Sequence, residues 1–317
     1  MIVLHWQTRR RGNPISRAVL IFGMGLIGRS VFRALKNELA PSCHYFPFSW
    51  NQDDDRDRQI THILKFVAQI CSSAKQHRQF DIVWSAGKAG FAGLAEEFVS
   101  EQKSFESVLS LVHRLESLGI SSGTRFHLFS SAGGLFEGQR NVDATSEAAP
   151  LRPYGIVKIN HERCLLDLPR DVVRCTYRPS SVYGYVGPRG RIGLIVAALQ
   201  SILENKTAHI FAQPDTLRDY VFAADVGRFL KVKIMDPPTT SQSYFLASGK
   251  PTATLELIAL IERVMERRLS VRFELSADNT MSNSFRISAL PDEWESTALE
   301  TGLSLTAMQL RDSLLLR

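Results

Sequence analysis

The stretch AVLIFGMGLIGRSVFRAL, residues 18–35, decides how this chain is read. Its first part is an unbroken apolar run that ends at Gly23, the pattern of a strand buried on both faces. Its second part changes period. Leu26, Ile27, Val31 and Leu35, with Leu39 beyond, recur at helical spacing, and Pro41 closes the segment. Between the two stand Gly23, Gly25 and Gly28, a GxGxxG loop in the strand-to-helix context that gives this string meaning. The first glycine permits the tight turn, the second lets backbone approach a pyrophosphate, and the third lets helix and strand pack closely. The helix N-terminus then meets the phosphates. The spacing predicts a dinucleotide site lined by Gly23, Gly25, Leu26, Ile27 and Gly28.

Such a site usually has an acidic residue at the end of the second strand, on the adenosine ribose. Here the second strand, expected at 43–48, runs into Ser49-Trp50-Asn51 with no carboxylate in place. Asn51 is the candidate ribose contact, and the choice between NAD and NADP stays open. Asp53-Asp54-Asp55 reads as a helix entry rather than a metal site, and no metal is expected.

Outward from the loop the alternation continues. Helices are expected over 26–40, 57–77, 94–118 and 154–167, with strands at 80–86, 124–132 and 171–178. Strand and helix in turn argue for a parallel sheet wrapped by right-handed crossovers. After about residue 180 the order loosens, with helices near 192–204, 224–235, 254–267 and 304–316 and a short strand near 208–211. Residues 1–17 read as an N-terminal extension.

Bulk properties exclude several classes. Hydrophobic residues at 44% and charged residues at 22% are ordinary for a globular protein. The longest apolar runs fall far short of the ~20 residues that cross a bilayer. MIVLHW has no basic lead and is too short for a signal peptide, so a cytoplasmic location is expected, with no membrane partner. Cys43, Cys71, Cys164 and Cys175 form no CxxC pair and are expected to be free thiols. The net charge of +6 includes one basic run, Arg9-Arg10-Arg11, read as a solvated lead-in rather than a nucleic-acid arm.

The second decisive stretch is PLRPYGIVKINHERC, residues 150–164. Tyr154 and Lys158 stand four apart on one helix, so both project from one face. A phenol of pKa near ~10 is a poor base at neutral pH. A nearby ammonium favours the phenolate, and so does an oxidised nicotinamide. Tyr154 can then exchange a proton with an alcohol while hydride moves at its carbon, and Lys158 can also hold the nicotinamide ribose. His127 and His161 are read as buried or solvated histidines.

With both motifs in view, the chain resembles an extended short-chain dehydrogenase/reductase of the NAD-dependent epimerase/dehydratase family, from about residue 18 to the C-terminus. FDIVWSAGKAG resembles the strand that flanks the cofactor, which brings in Ala86 and Gly87. LFSSAGGLFEG resembles the serine-bearing strand. SEAAPLRPYG, YRPSSVYG and LRDYVFAADVGRFL resemble the later segments in order. The resemblance implies a Rossmann-like doubly wound parallel sheet over 18–180 and a smaller substrate-binding lobe over 181–317, interleaved with the end of the first domain. It implies Tyr154 as acid/base, Lys158 as its activator, Ser131 as the hydroxyl on the substrate oxygen, and Arg218 on the diphosphate of a nucleotide sugar. Asp225 would anchor the helix that follows it. A homodimer through the faces of 94–118 and 154–167 is possible on the same ground.

Three departures bear on function. Phe22 stands where the family more often has glycine. The expected hydroxyl position, counted from Phe136, is Ala132, one residue from Ser131. Gly133 and Gly134 stand where the family's sugar dehydratases carry an Asp-Glu pair, which turns the expectation from dehydration to 4-epimerisation or 4-keto reduction. The other readings are a reductase of a non-sugar carbonyl compound and a dinucleotide-binding relative without catalysis.

Overall fold

The computed structural model describes residues 1–10, 13–72, 78–87, 90, 93–119, 123–187, 192–274 and 281–315. The strands and helices in chain order are β1 (Ile2–Arg10), β2 (Asn13–Phe22), α1 (Leu26–Leu39), β3 (Ser42–Tyr45), α2 (Asp53–Ser72), β4 (Arg78–Trp84), α3 (Val99–Ser117), β5 (Thr124–Phe129), α4 (Ala132–Leu135), α5 (Pro153–Cys164), β6 (Val173–Pro179), β7 (Ser181–Tyr183), α6 (Leu194–Glu204), β8 (Ala208–Ile210), β9 (Leu217–Arg218), β10 (Tyr220–Phe222), α7 (Ala223–Met235), β11 (Gln242–Leu246), β12 (Thr252–Ala253), α8 (Thr254–Met265), β13 (Val271–Phe273) and α9 (Leu299–Leu315). A seven-stranded sheet in the order β11-β6-β5-β4-β2-β1-β3 forms the frame. The pairs β2–β4, β4–β5, β5–β6 and β6–β11 are parallel. This is the doubly wound α/β architecture expected from the alternation.

Apolar residues on alternate positions face opposite sides of the sheet. Leu20, Phe22, Ile82 and Trp84 meet the buried residues of α2 and α3. Val19, Ile21 and Val83 meet those of α1 and α7. The chain leaves β2 toward β3 on one side and reaches β4 on the other. The carboxyl ends of β2 and β4 therefore flank the topological switch point, where ligands of such sheets bind.

The expectation that residues 1–17 are an N-terminal extension ahead of the sheet domain is corrected by the structure. β1 pairs antiparallel with β2 on one side and with β3 on the other, so it is an interior strand. Ile2, Leu4 and Trp6 are buried on one face of it and Val3 on the other. Burial of each such side chain stabilises by about 1.5–3 kcal/mol. β3 is thereby set one strand further from β2 than in a sheet where the two adjoin.

β7, β8, β10 and β13 with α6, α8 and α9 enclose a separate apolar cluster built on Leu199, Ile202, Phe222, Leu257, Ile261 and Leu303. β11 and α7 return from this half to the sheet. Cys43, Cys164 and Cys175 are free; the Cys71 side chain and those of Arg9 to Arg11 lie outside the described residues. Among the described residues no helix is long and apolar enough to cross a membrane, and no cluster of His, Cys, Asp or Glu could hold a metal ion.

Candidate active site

The glycine loop is held by backbone contacts. Gly23 has φ +97°, and a Cβ there would stand 2.4 Å from the Ala86 amide nitrogen. A Cβ on Gly28 would stand 1.9 Å from the Gly23 carbonyl oxygen. Gly25 differs, with no protein atom within 4 Å of its Cβ position. Ser85, unremarked in the sequence, ties the two strand ends together by donating its hydroxyl to the Gly23 carbonyl at 2.8 Å. α1 starts at this loop with no side chain capping it and no acid in its first turn. Its first amides and its dipole are open to an anion, so Gly23, Gly25, Leu26, Ile27 and Gly28 fit a pyrophosphate. Ala86 follows β4 directly against Gly23, and Gly87 is exposed beside it.

The adenosine side is less decided. Asn51 is exposed in the loop before α2. Phe48 and Trp50 close this edge instead, in an edge-packed series from Phe22 through Phe48 and Trp50 to Trp84. Asp53, Asp54 and Asp55 open α2, as a helix entry should. Asp53 pairs with Arg56 and Lys103.

α5 begins with Pro153 in its first turn, preorganised for a helix. It carries Tyr154 half-buried and Lys158 buried, one turn apart, with the Lys158 ammonium 5.6 Å from the centre of the Tyr154 ring. Two glycines admit the ring. A Cβ on Gly134 would lie 2.8 Å from it, and a Cβ on Gly155 would lie 2.3 Å from the Gly134 carbonyl oxygen. The Phe98 ring centre is 6.2 Å from that of Tyr154. Lys158 donates to Glu101 of α3 at 2.9 Å. Sequence reading missed Glu101. A signal was present: it sits on the buried stripe of α3 with Phe105, Val108 and Val112, a charge where the period asks for an apolar side chain.

Ser131 caps α4, its Oγ accepting from the Gly134 amide at 3.1 Å. Ala132 is the first helical residue, and its methyl is fully buried in an apolar cluster. Glu137 is buried and accepts from Arg152 Nε at 2.8 Å. Arg218 is half-buried and donates to the Met281 carbonyl at 2.6 Å. Burial lowers the pKa of its guanidinium, while Tyr220 and Glu137 oppose the shift. Asn283, also unforeseen, is buried with Oδ1 lacking a partner among the described residues, and its Nδ2 lies 3.7 Å from the Cβ position of Gly133.

The other candidates are structural. His127 bonds Asp81 and Tyr177 inside the sheet. His161 is buried beside Phe105 and Trp84, held neutral by burial and by Lys158. Asp225 accepts from the Thr297 amide and hydroxyl, both at 2.7 Å, and anchors α7 to the segment before α9.

A glycine loop at a switch point and a Tyr/Lys pair one turn apart, beside the strand end that adjoins the loop, form a constellation that can move a proton beside a bound dinucleotide. Comparison with known proteins identifies the family. The model of the NAD dependent epimerase/dehydratase family matches residues 19–242. The chain belongs to that family. Among the family's curated members, the UDP-glucose 4-epimerase of Mycolicibacterium smegmatis is 30% identical over 166 residues, 48% of this chain and 51% of that one. The chain spans about half the length of the curated relatives it matches. The crystal structure of Thermus thermophilus UDP-glucose 4-epimerase in complex with NAD superposes with a TM-score of 0.74 at 16% identity, covering 93% of this chain and 99% of that one. That of Bacillus cereus UDP-glucuronic acid 4-epimerase, in complex with UDP-glucuronic acid and NAD, gives 0.68 at 17%, covering 94% and 99%. At these identities the structural likeness speaks for the fold.

Proposed function

We propose that this chain is an NAD-dependent 4-epimerase of a nucleotide sugar. The observation that carries the reading is the Tyr154/Lys158 pair, set on α5 within reach of the strand end that adjoins the glycine loop. A bound nicotinamide supplies the hydride acceptor and donor. Everything else falls to side chains and backbone. Gly23, Gly25 and Gly28 with the first turn of α1 hold the pyrophosphate. Tyr154 takes the proton of the sugar hydroxyl and returns it, and Lys158 keeps the phenol acidic enough to do so. Ser131 donates its hydroxyl hydrogen to the same substrate oxygen, while its lone pair serves the Gly134 amide. Arg218 meets the diphosphate, and the half of the chain over 181–317 receives the nucleotide and sugar.

Two features narrow the reaction. The backbone at Gly134 is pressed against the Tyr154 ring, so the acidic side chain that dehydration asks for has no room there. The loop over 46–51 carries no basic residue for a 2′-phosphate. The nearby Arg56 is engaged by Asp53, Ser49 and Ser107. NAD is therefore favoured over NADP. Val99 and Ile156, exposed on α3 and α5, support a homodimer through those helices.

The experiment is conversion of UDP-glucose and UDP-glucuronic acid, each in the presence of NAD, with products resolved by anion exchange. A C4 epimer is expected with no net change in NADH. Tyr154→Phe should lower kcat by about 10²–10⁴-fold, the contribution of a positioned acid/base. Undiminished turnover by Tyr154→Phe would refute the reading. Reduction of a 4-keto nucleotide sugar at the expense of added NADH or NADPH, with no C4 epimer formed from either UDP-sugar, would mark a keto-reductase.

A further inference from the structure

Lys158 is buried against a carboxylate. Its side chain is 4% exposed, that of Glu101 is 6% exposed, and the two meet at 2.9 Å. Both groups flank the end of β4. The Cβ position of Gly87 lies 3.8 Å from Lys158 Nζ and 3.8 and 3.9 Å from the two Glu101 oxygens. Glu101 lies in the first turn of α3.

A lone ammonium beside a phenol lowers the phenol's pKa. An ammonium paired with a carboxylate acts as a dipole, and much of its field at the phenol cancels. We propose that Glu101 is a positioning residue for the Tyr154/Lys158 pair: it fixes the ammonium over the end of β4 and raises the pH at which Tyr154 releases its proton. The proposal rests on the acid/base reading of Tyr154.

Among the described residues the other charged groups near the pair are engaged elsewhere, and Glu162, one turn beyond Lys158 on α5, is held by Arg178 at 2.6 Å. On α5, His161 follows Lys158 by one turn and is neutral. On the turn before α3, Glu97 is exposed and accepts from the Leu94 amide. Beside the start of α5, Glu137 is joined to Arg152, so that pair is balanced within itself. β4 ends at Trp84, and the Ser85, Ala86 and Gly87 that follow it carry no charged side chain.

The test uses the full-length, NAD-loaded protein and needs no substrate. The ultraviolet phenolate signal of Tyr154 is taken as the pH-difference spectrum of the protein minus that of its Tyr154→Phe counterpart. Its midpoint should fall by about one pH unit in Glu101→Gln, the size of one charge removed across several ångströms of protein. Glu101→Asp keeps the charge but draws it back by one methylene, and should shift the midpoint the same way by less. If Glu101→Gln does not fold, judged by circular dichroism, the Glu101→Asp midpoint decides alone. A midpoint unmoved or raised in the folded variant overturns the proposal. Absence of any Tyr154-dependent signal in the unsubstituted protein overturns the acid/base reading instead, so the two failures are told apart. Where turnover is measured, the acid limb of kcat should follow the same midpoint while KM stays put.

Discussion

The buried ion cluster in the sheet and the one at the cleft are built differently. In the sheet, Asp81 of β4 accepts from Arg125 Nε at 2.6 Å and NH2 at 2.7 Å, and from His127 Nε2 at 2.8 Å, while His127 Nδ1 meets the Tyr177 hydroxyl at 2.9 Å. Both carboxylate oxygens are used, and the network ties β4, β5 and β6 together. At the cleft, Lys158 and Glu101 meet through one carboxylate oxygen and lie against the exposed backbone at Gly87. The first cluster is closed on itself, as a buried network must be if it is to hold a fold. The second borders the place where ligands enter, so its charges act on whatever arrives there.

The contrast can be broken by substitution. Asp81→Asn leaves two cations facing each other in the sheet and should cost about 3–5 kcal/mol, read from urea unfolding, with kcat of the folded fraction unchanged. A cost well below that range would mean the network is not closed. Glu101→Gln should cost less stability and change the pH profile instead.

Gly134→Ala comes next. Its methyl group would meet the Tyr154 ring at 2.8–2.9 Å, so about 1–3 kcal/mol of overpacking and a fall in kcat are expected together. Gly133→Ala meets nothing nearer than 3.7 Å, and its stability should be near that of the parent. Equal effects from the two would show that the ring is not held by this approach.

A third effect is the pH dependence of stability. Burial alone would lower the pKa of His127 and is the largest single influence, but Asp81 and Cys175 together outweigh it, by hydrogen bonds and charge, and raise the value from 6.5 to about 9. A group whose folded pKa is raised stabilises fully below its unfolded value, and that contribution disappears as the pH climbs through the folded one. Denaturation midpoints should therefore decline from pH 6.5 to beyond about 9. Asp81 runs the other way: burial opposes, but Arg125 and His127 prevail and lower its pKa, so its share is lost on acidification below 3.8. His127→Phe should remove the alkaline decline, and a decline that persists would put its cause elsewhere. The smallest effect is at the exposed loop. Asn51→Ala should change the Kd for NAD by no more than about twofold, near 0.5 kcal/mol, by calorimetry.

Much of this was legible locally. β2 ends in an unbroken apolar run from Ala18 to Phe22, β4 carries Ile82, Val83 and Trp84 together, GMGLIG sits at its strand–helix junction, and the four-residue spacing of Tyr154 and Lys158 fixes their common face. What escaped depends on distant pairing. IVLHWQT carries polar and basic neighbours and looks like a lead-in until β2 and β3 are known to flank it. The two- and three-residue strands β7, β9 and β10 are too short to leave a period. Glu101 lies 57 positions from Lys158, and only packing of α3 on α5 brings them together. Ser131 was ambiguous against Ala132 because a one-residue shift is set by the cap of α4 rather than by spacing.

The placing of β1 has a consequence for how the sheet assembles. β1–β2 is a hairpin between near neighbours in the chain, closed at little entropic cost. β3 has no hydrogen-bonded contact with the sheet except through β1. Docking of β3, and of the loop that leads from it to α2, must therefore wait for the hairpin. The rim beside the glycine loop is completed in sequence: hairpin first, edge strand second.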